Sequence, residues 1–253
     1  MAARGLFSYW LLPVISAAVW LATLLALICY WEINHSGRPF PSMTRGQTIA
    51  YISDVGAFHL KALFIAGSTI TVVFLDLAFV AERYLRHKGR LIPNTTLREK
   101  VLSALSIAFA IIGSAGLILL TILDTYHHPA AHRACLLVFI VGFLLSAACL
   151  CGEYWKLGIN HPEHRLLRAS FYIKLFFILI EFCLAVVFAG LFSTHRNAAA
   201  VIEWIIAFIF VFYILSYVLD LYPAVHTKNR DDRFSKEGEH EHREAMSQRN
   251  SLA

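Results

Sequence analysis

Charge is scarce in this sequence. Asp, Glu, Lys and Arg make up 15% of its 253 residues, against about 25% in an average soluble protein. Apolar residues make up 58%, against about 45–50% in that average. A soluble domain with this balance could not cover its surface with polar groups, so the soluble class is excluded. Disorder over most of the chain is excluded as well, because it requires low hydrophobicity. Catalytic signatures are missing: there is no GxSxG, no P-loop, no GxGxxG, no HExxH and no CxxC. Cysteine is sparse, with five residues, all in or beside apolar stretches. Those stretches lack two-residue alternation, which argues against spanning strands. A polytopic helical membrane protein remains.

Six stretches are long enough to cross a bilayer, which takes about 20 mostly apolar residues at about 1.5 Å each. They run from about Tyr9 to Trp31, Leu60 to Val80, Val101 to Leu123, Cys135 to Trp155, Tyr172 to Phe192 and Ile202 to Leu221. Trp10, Trp31, Tyr154, Trp155, Tyr172, Trp204 and Tyr222 stand near their ends, where amphipathic rings favour the interface. The predicted fold is all-α, a six-span helix bundle over 1–223 followed by a polar, disordered tail over 224–253. The first span reads as a signal anchor, since it is too long for a cleaved leader.

Basic residues set the orientation. Arg83, Arg86, Lys88, Arg90, Arg98 and Lys100 crowd the 81–100 loop, and Lys156, Arg165 and Arg168 follow the fourth span. The positive-inside rule places both loops and both termini in the cytosol. Arg83, Arg86, Lys88 and Arg90 are therefore the candidate binding residues for anionic phospholipids or a cytosolic partner, each cation being worth about 1 kcal/mol near an anionic leaflet. The tail carries as many acids as bases, so it is no polybasic anchor.

Three ionisable residues fall inside spans: Asp76, Lys174 and Glu181. Such groups are costly there and mark a partner or a function. Similar depth suggests an Asp76–Lys174 ion pair, with Ser68, Thr69 and Thr71 donating to Glu181. On the outer side Asp54, Asp124, His128, His132 and Glu203 form a candidate polar site. Its residue types suit a metal ion, but the plainer reading is a hydrogen-bonded cap holding the outer loops together. Cys29 and Cys135 both lie near that surface and are candidates for a disulfide. Short outer loops make spans three and four, and five and six, antiparallel neighbours. No cofactor and no nucleic-acid partner is expected; the lipid bilayer is the first partner.

Several segments resemble the FRAG/DRAM/SFK family, which includes the damage-regulated autophagy modulators, the fungal tacrolimus-sensitivity suppressors and the N-terminal domain of the calcineurin-white-hypersensitive proteins. Tyr51-Ile52-Ser53-Asp54-Val55-Gly56-Ala57 is similar to its ISD-x-G signature. Leu123-Asp124-Thr125 with His128 and His132 resembles its outer turn. Glu203-Trp204-Ile205, Phe212-Tyr213 and Asp220-Leu221 resemble its last helix. Phe58-His59-Leu60-Lys61 stands where the family often has Pro and an acidic or amide residue. The resemblance implies a non-enzymatic membrane regulator or scaffold of the fungal plasma membrane, linked to phosphoinositide synthesis, a phosphatidylinositol 4-kinase complex and lipid organisation. It leaves open a metal-dependent enzyme remodelling lipids or GPI anchors through the outer Asp and His residues. An autophagy-linked modulator, or a transporter using Glu181, ranks third. Endoplasmic reticulum, Golgi and vacuole or lysosome are the alternative membranes.

Overall fold

The computed structural model describes residues 8–91, 96–160 and 165–225. Its helices are α1 (Leu11–Cys29), α2 (Ile52–Val55), α3 (Lys61–His87), α4 (Leu97–Ile122), α5 (Pro129–Asn160), α6 (Arg165–Leu191), α7 (Arg196–Ser216) and α8 (Val218–Leu221). A wider turn continues α1 through Tyr30–Asn34, and a tighter one follows α8 through Tyr222–Val225. Among the described residues, six helical segments are long and apolar enough to cross a membrane. The expected tail over 224–253 lies outside the described residues beyond Val225.

Local chemistry fixes the ends. Leaving α1, Ser36 and Gly37 take left-handed backbone, with φ of 54° and 63°, which stops a right-handed helix at little cost where Gly supplies it. Thr96 and Glu99 open α4 as a reciprocal cap: Glu99 N donates to Thr96 Oγ1 at 3.3 Å and Thr96 N to Glu99 Oε2 at 3.1 Å. Pro129 occupies the first position of α5, where its missing N–H costs nothing.

Several helices overrun the apolar stretches. α3 continues to His87 and α4 starts at Leu97, so much of the expected 81–100 loop is helix. α5 starts at Pro129, six residues ahead of Cys135. Charge marks where the bilayer ends, while the backbone keeps its hydrogen bonds beyond that level. All five cysteines are unpaired. The expected Cys29–Cys135 disulfide is absent; Cys29 is exposed, and Cys135 packs partly buried on the core.

Each long helix packs chiefly on its chain neighbours: α1 on α3, α3 on α4, α4 on α5, α5 on α6 and α6 on α7. α7 then returns to α1. The six form a closed ring in chain order, with α2 beside α1 and α7 at one end. We call that the loop end, because the 35–60 segment lies there; the other is the terminal end.

In lipid, close backbone approach and interhelical hydrogen bonds replace the hydrophobic drive. The α4–α5 seam shows both. A Cβ on Gly142 would stand 2.7 Å from Gly113 Cα, and one on Gly116 would stand 2.6 Å from Phe139 N. Ser106 and Ser146 join the same helices at 3.2 Å. Ser16 Oγ donates to the Thr71 carbonyl at 2.7 Å, tying α1 to α3. Trp20 Nε1 donates to the Ala207 carbonyl at 3.0 Å, tying α1 to α7.

Candidate functional site

Three regions stand out: a polar cap at the loop end, a charged cluster at the terminal end and a largely apolar cavity between them.

The ISD segment builds the cap. Asp54 turns back to accept the Tyr51 N–H at 3.1 Å, starting α2. Its carboxylate also accepts from Ser42 Oγ at 2.6 Å and Gln47 Nε2 at 3.4 Å. Burial raises the Asp54 carboxyl above its ordinary range, against the opposing pull of these donors and of nearby His132. Gly56 follows because a Cβ there would meet the Phe64 ring. α7 holds this unit down. Glu203 Oε2 accepts the Ile52 N–H at 2.7 Å, and Trp204 Nε1 donates to the Ala50 carbonyl at 3.0 Å. Asn197 Oδ1 accepts the N–H groups of Thr48 and Ile49 at 2.8 and 3.1 Å.

Asp124 organises the turn between α4 and α5. Lys61 Nζ donates to its Oδ2 at 2.5 Å. The N–H groups of Tyr126 and His127 donate to its Oδ1 at 3.1 and 2.7 Å, and the His127 ring lies 2.9 Å away. Burial works to raise this carboxyl, but Lys61 and His127 outweigh it and hold it well below the usual carboxylate range. Lys61, part of the departure from the family pattern, is thus the partner of the family's Asp. His132 Nδ1 faces the carbonyls of Leu120 and Leu123 at 2.8 and 3.0 Å. Two acceptors place the proton on that nitrogen.

The five candidate outer residues therefore share one end of the ring but serve separate bonds. His128 and His132 do not act as a pair: His132 is buried and His128 is exposed. Among the described residues, no group of three or more His, Cys, Asp and Glu side chains could hold a metal ion. The bonds of Asp54, Glu203 and His132 go to loop and helix-end backbone.

At the terminal end the expected Asp76–Lys174 pair is not formed. Lys174 on α6 ion-pairs with Asp220 on α8. It also donates to Ser170 Oγ at 2.8 Å, and Ser170 Oγ donates to Asp220 at 2.5 Å. The reason is adjacency: α6 packs on α5, α7 and α8, while α3 packs on α1 and α4. Arg86 also departs from expectation. It is buried at 4% exposure and donates to Glu82 through Nε at 3.0 Å and Nη2 at 2.7 Å. Tyr154 OH donates to the same carboxylate at 2.6 Å, and Glu153 lies 4.0 Å from Arg86. The Tyr154 ring faces both Arg86 and Lys174, at 5.1 and 5.3 Å. A buried guanidinium already bonded to a carboxylate is no surface ligand for lipid. Arg90 donates to the Ala224 carbonyl, Arg83 is half-buried and Lys88 is exposed. Glu82, Glu153 and Ser170 were not site candidates in the sequence, and Tyr154 stood there only as an interfacial ring at a span end; it is buried instead. The i, i+4 spacing of Glu82 and Arg86 was the available signal.

The cavity has a volume of about 130 Å³ and is lined from all six long helices, by Trp20, Phe64, Leu117, Phe143, Glu181 and Phe210 among others. Ile52, Ser53 and Glu203 line it at the loop end, and Tyr213 lies in its wall. Glu181 Oε1 is buried without a hydrogen-bond partner. Of the expected donors, Ser68 and Thr71 do not reach it, since their hydroxyls are themselves buried and unpartnered. Asp76 of α3 and Ser114 of α4 face each other between those helices.

A ring of six membrane-spanning helices, with a polar cap at one end and buried ion pairs at the other, defines an integral membrane protein. Residues 8–224 match the family described as Frag1/DRAM/Sfk1/Cwh43P N-terminal domain, and the chain belongs to that family. It is 30% identical over 223 residues to the protein sfk1 of Schizosaccharomyces pombe, covering 87% of this chain and 65% of that one. It is 27% identical over 181 residues to the protein SFK1 of Saccharomyces cerevisiae, covering 60% of this chain and 51% of that one. The chain thus spans less than two thirds of the length of either relative. No solved structure matches it.

Proposed function

We propose that this protein is a non-enzymatic regulator or scaffold of the plasma membrane, acting in phosphoinositide signalling and lipid organisation. Its terminal end faces the cytosol, by the positive-inside rule. The observation that carries the reading is the division of the cations at that end. Arg86 and Arg90 are engaged within the protein, while Lys88, Arg98 and Lys100 are exposed and Arg83 is half-exposed. These remaining cations meet anionic phospholipid and a cytosolic lipid-kinase complex. Each favours an anionic surface by about 1 kcal/mol. The outer carboxylates and His132 support the same reading, since their bonds go to loop backbone and neighbouring side chains rather than to an open reaction centre.

The test is lipid retention. Purified protein in nanodiscs of mixed phosphatidylcholine and phosphatidylinositol 4-phosphate is examined by native mass spectrometry. The wild type retains the phosphoinositide, and Lys88→Gln/Arg98→Gln/Lys100→Gln loses most of it. Equal retention by both proteins overturns the lipid part of the reading.

A further inference from the structure

The cavity has two properties that together specify an occupant. Its wall is almost wholly apolar, built from aromatic and branched side chains of six helices. Yet Glu181 lines it with a buried carboxyl oxygen that no protein group meets. Glu181 lies about ten residues from the Leu191 end of α6, or roughly 15 Å into the membrane. A polar group at that depth needs a hydrogen-bond partner. A phosphate or ammonium head would have to leave water completely to supply one, at a cost of several kcal/mol. A neutral hydroxyl gives up far less and can both donate to and accept from a carboxyl.

Access follows from burial. The α6 span is the least covered of the six, with 17% of its most apolar window buried. Ile140 and Leu144 of α5 and Ile178 and Ala185 of α6 carry the cavity wall along this side of the ring. A volume near 130 Å³ is close to that of a cavity known to hold benzene, about 150 Å³. It admits the leading portion of a lipid, the rest staying in the bilayer.

We propose that the central cavity binds a neutral, hydroxyl-bearing membrane lipid, entering between α5 and α6 and hydrogen-bonding its hydroxyl to Glu181. The site rests on the six-span ring alone and not on the cytosolic reading above. Loss of phosphoinositide retention would leave it untouched, and its own failure would leave that reading standing.

Photoaffinity labelling in phosphatidylcholine nanodiscs tests it, using photoactivatable diacylglycerol, sterol and phosphatidylcholine probes at equal concentration. Diacylglycerol or sterol should label peptides of α5, α6 and α7 well above phosphatidylcholine, and whichever does identifies the source of the hydroxyl. Glu181→Leu should cut that labelling by about fivefold or more, the loss of one hydrogen bond. Ala185→Phe, which fills the cavity, should abolish it. Because either variant can weaken the fold, the wild type is also challenged with competitors. A long-chain alcohol should displace the probe and a long-chain amine of equal length should not. Labelling no stronger than that of phosphatidylcholine overturns the proposal. So does labelling that survives both variants, or displacement by the amine alone.

Discussion

Lys174 on α6 and Asp220 on α8 form a buried ion pair, bridged by the hydroxyl of Ser170. The Lys174 ammonium also sits 4.3 Å from the centre of the Tyr217 ring, and Tyr217 OH meets Tyr213 OH at 2.7 Å. The cavity wall at Tyr213 is therefore linked through two hydroxyls and one cation to the segment that ends the last span.

Removing one member of that pair leaves a buried charge without its counterion, which costs about 3–5 kcal/mol. Lys174→Ala and Asp220→Ala should each lower the thermal midpoint of the purified protein substantially. The double variant Lys174→Met/Asp220→Leu should recover much of the loss, since replacing both charges removes the desolvation cost as well. A double variant no more stable than the singles contradicts the pairing.

The α4–α5 seam predicts a steric effect. Gly142→Val places a branched side chain where Gly113 Cα already stands 2.7 Å from the new Cβ. Overpacking costs about 1–3 kcal/mol, and a helix backbone yields less readily than a side chain. The variant should show a lowered midpoint, while Gly190→Val, with open space around it, should not.

The two cap carboxylates predict opposite pH dependences. Asp124 is depressed in the folded protein. Its stabilisation is full above the ordinary carboxylate value of about 4 and is lost as pH falls through the folded value. Asp54 is raised. Its contribution is full below about 4 and is lost as pH rises through its folded value. Midpoints measured from pH 3 to 8 should show Asp124→Asn flattening the acid limb and Asp54→Asn flattening the limb toward neutrality. Identical profiles for the two variants contradict the assignment.

The six spans were legible because length and hydropathy alone dictate them. The ISD segment, Asp124 and Glu203 were legible as candidates for one outer polar site, though not the particular bonds each makes: Asp54 to its own turn, Glu203 to the Ile52 N–H and Asp124 to Lys61. Which helices touch was less accessible. Lys174 pairs with Asp220 rather than Asp76 because the ring sets α6 against α8, and depth in the bilayer carries no information about neighbours. In the sequence Arg86 stands among the loop cations, a candidate for anionic lipid or a cytosolic partner. Only the fold shows α3 continuing past the apolar stretch and turning that guanidinium inward, onto Glu82. The cavity was invisible for a related reason: each helix contributes a few ordinary apolar side chains, and no single segment has a periodicity that reports a shared space.

The most direct test of the functional account is proximity labelling in fungal cells from a labelling enzyme fused to the C-terminus. The account predicts labelling of a lipid-kinase complex on the cytosolic side of the plasma membrane. It also predicts a marked drop for Lys88→Gln/Arg98→Gln/Lys100→Gln at unchanged protein level. Undiminished labelling by that variant, or a wild-type protein that labels only luminal or extracellular neighbours, would contradict it.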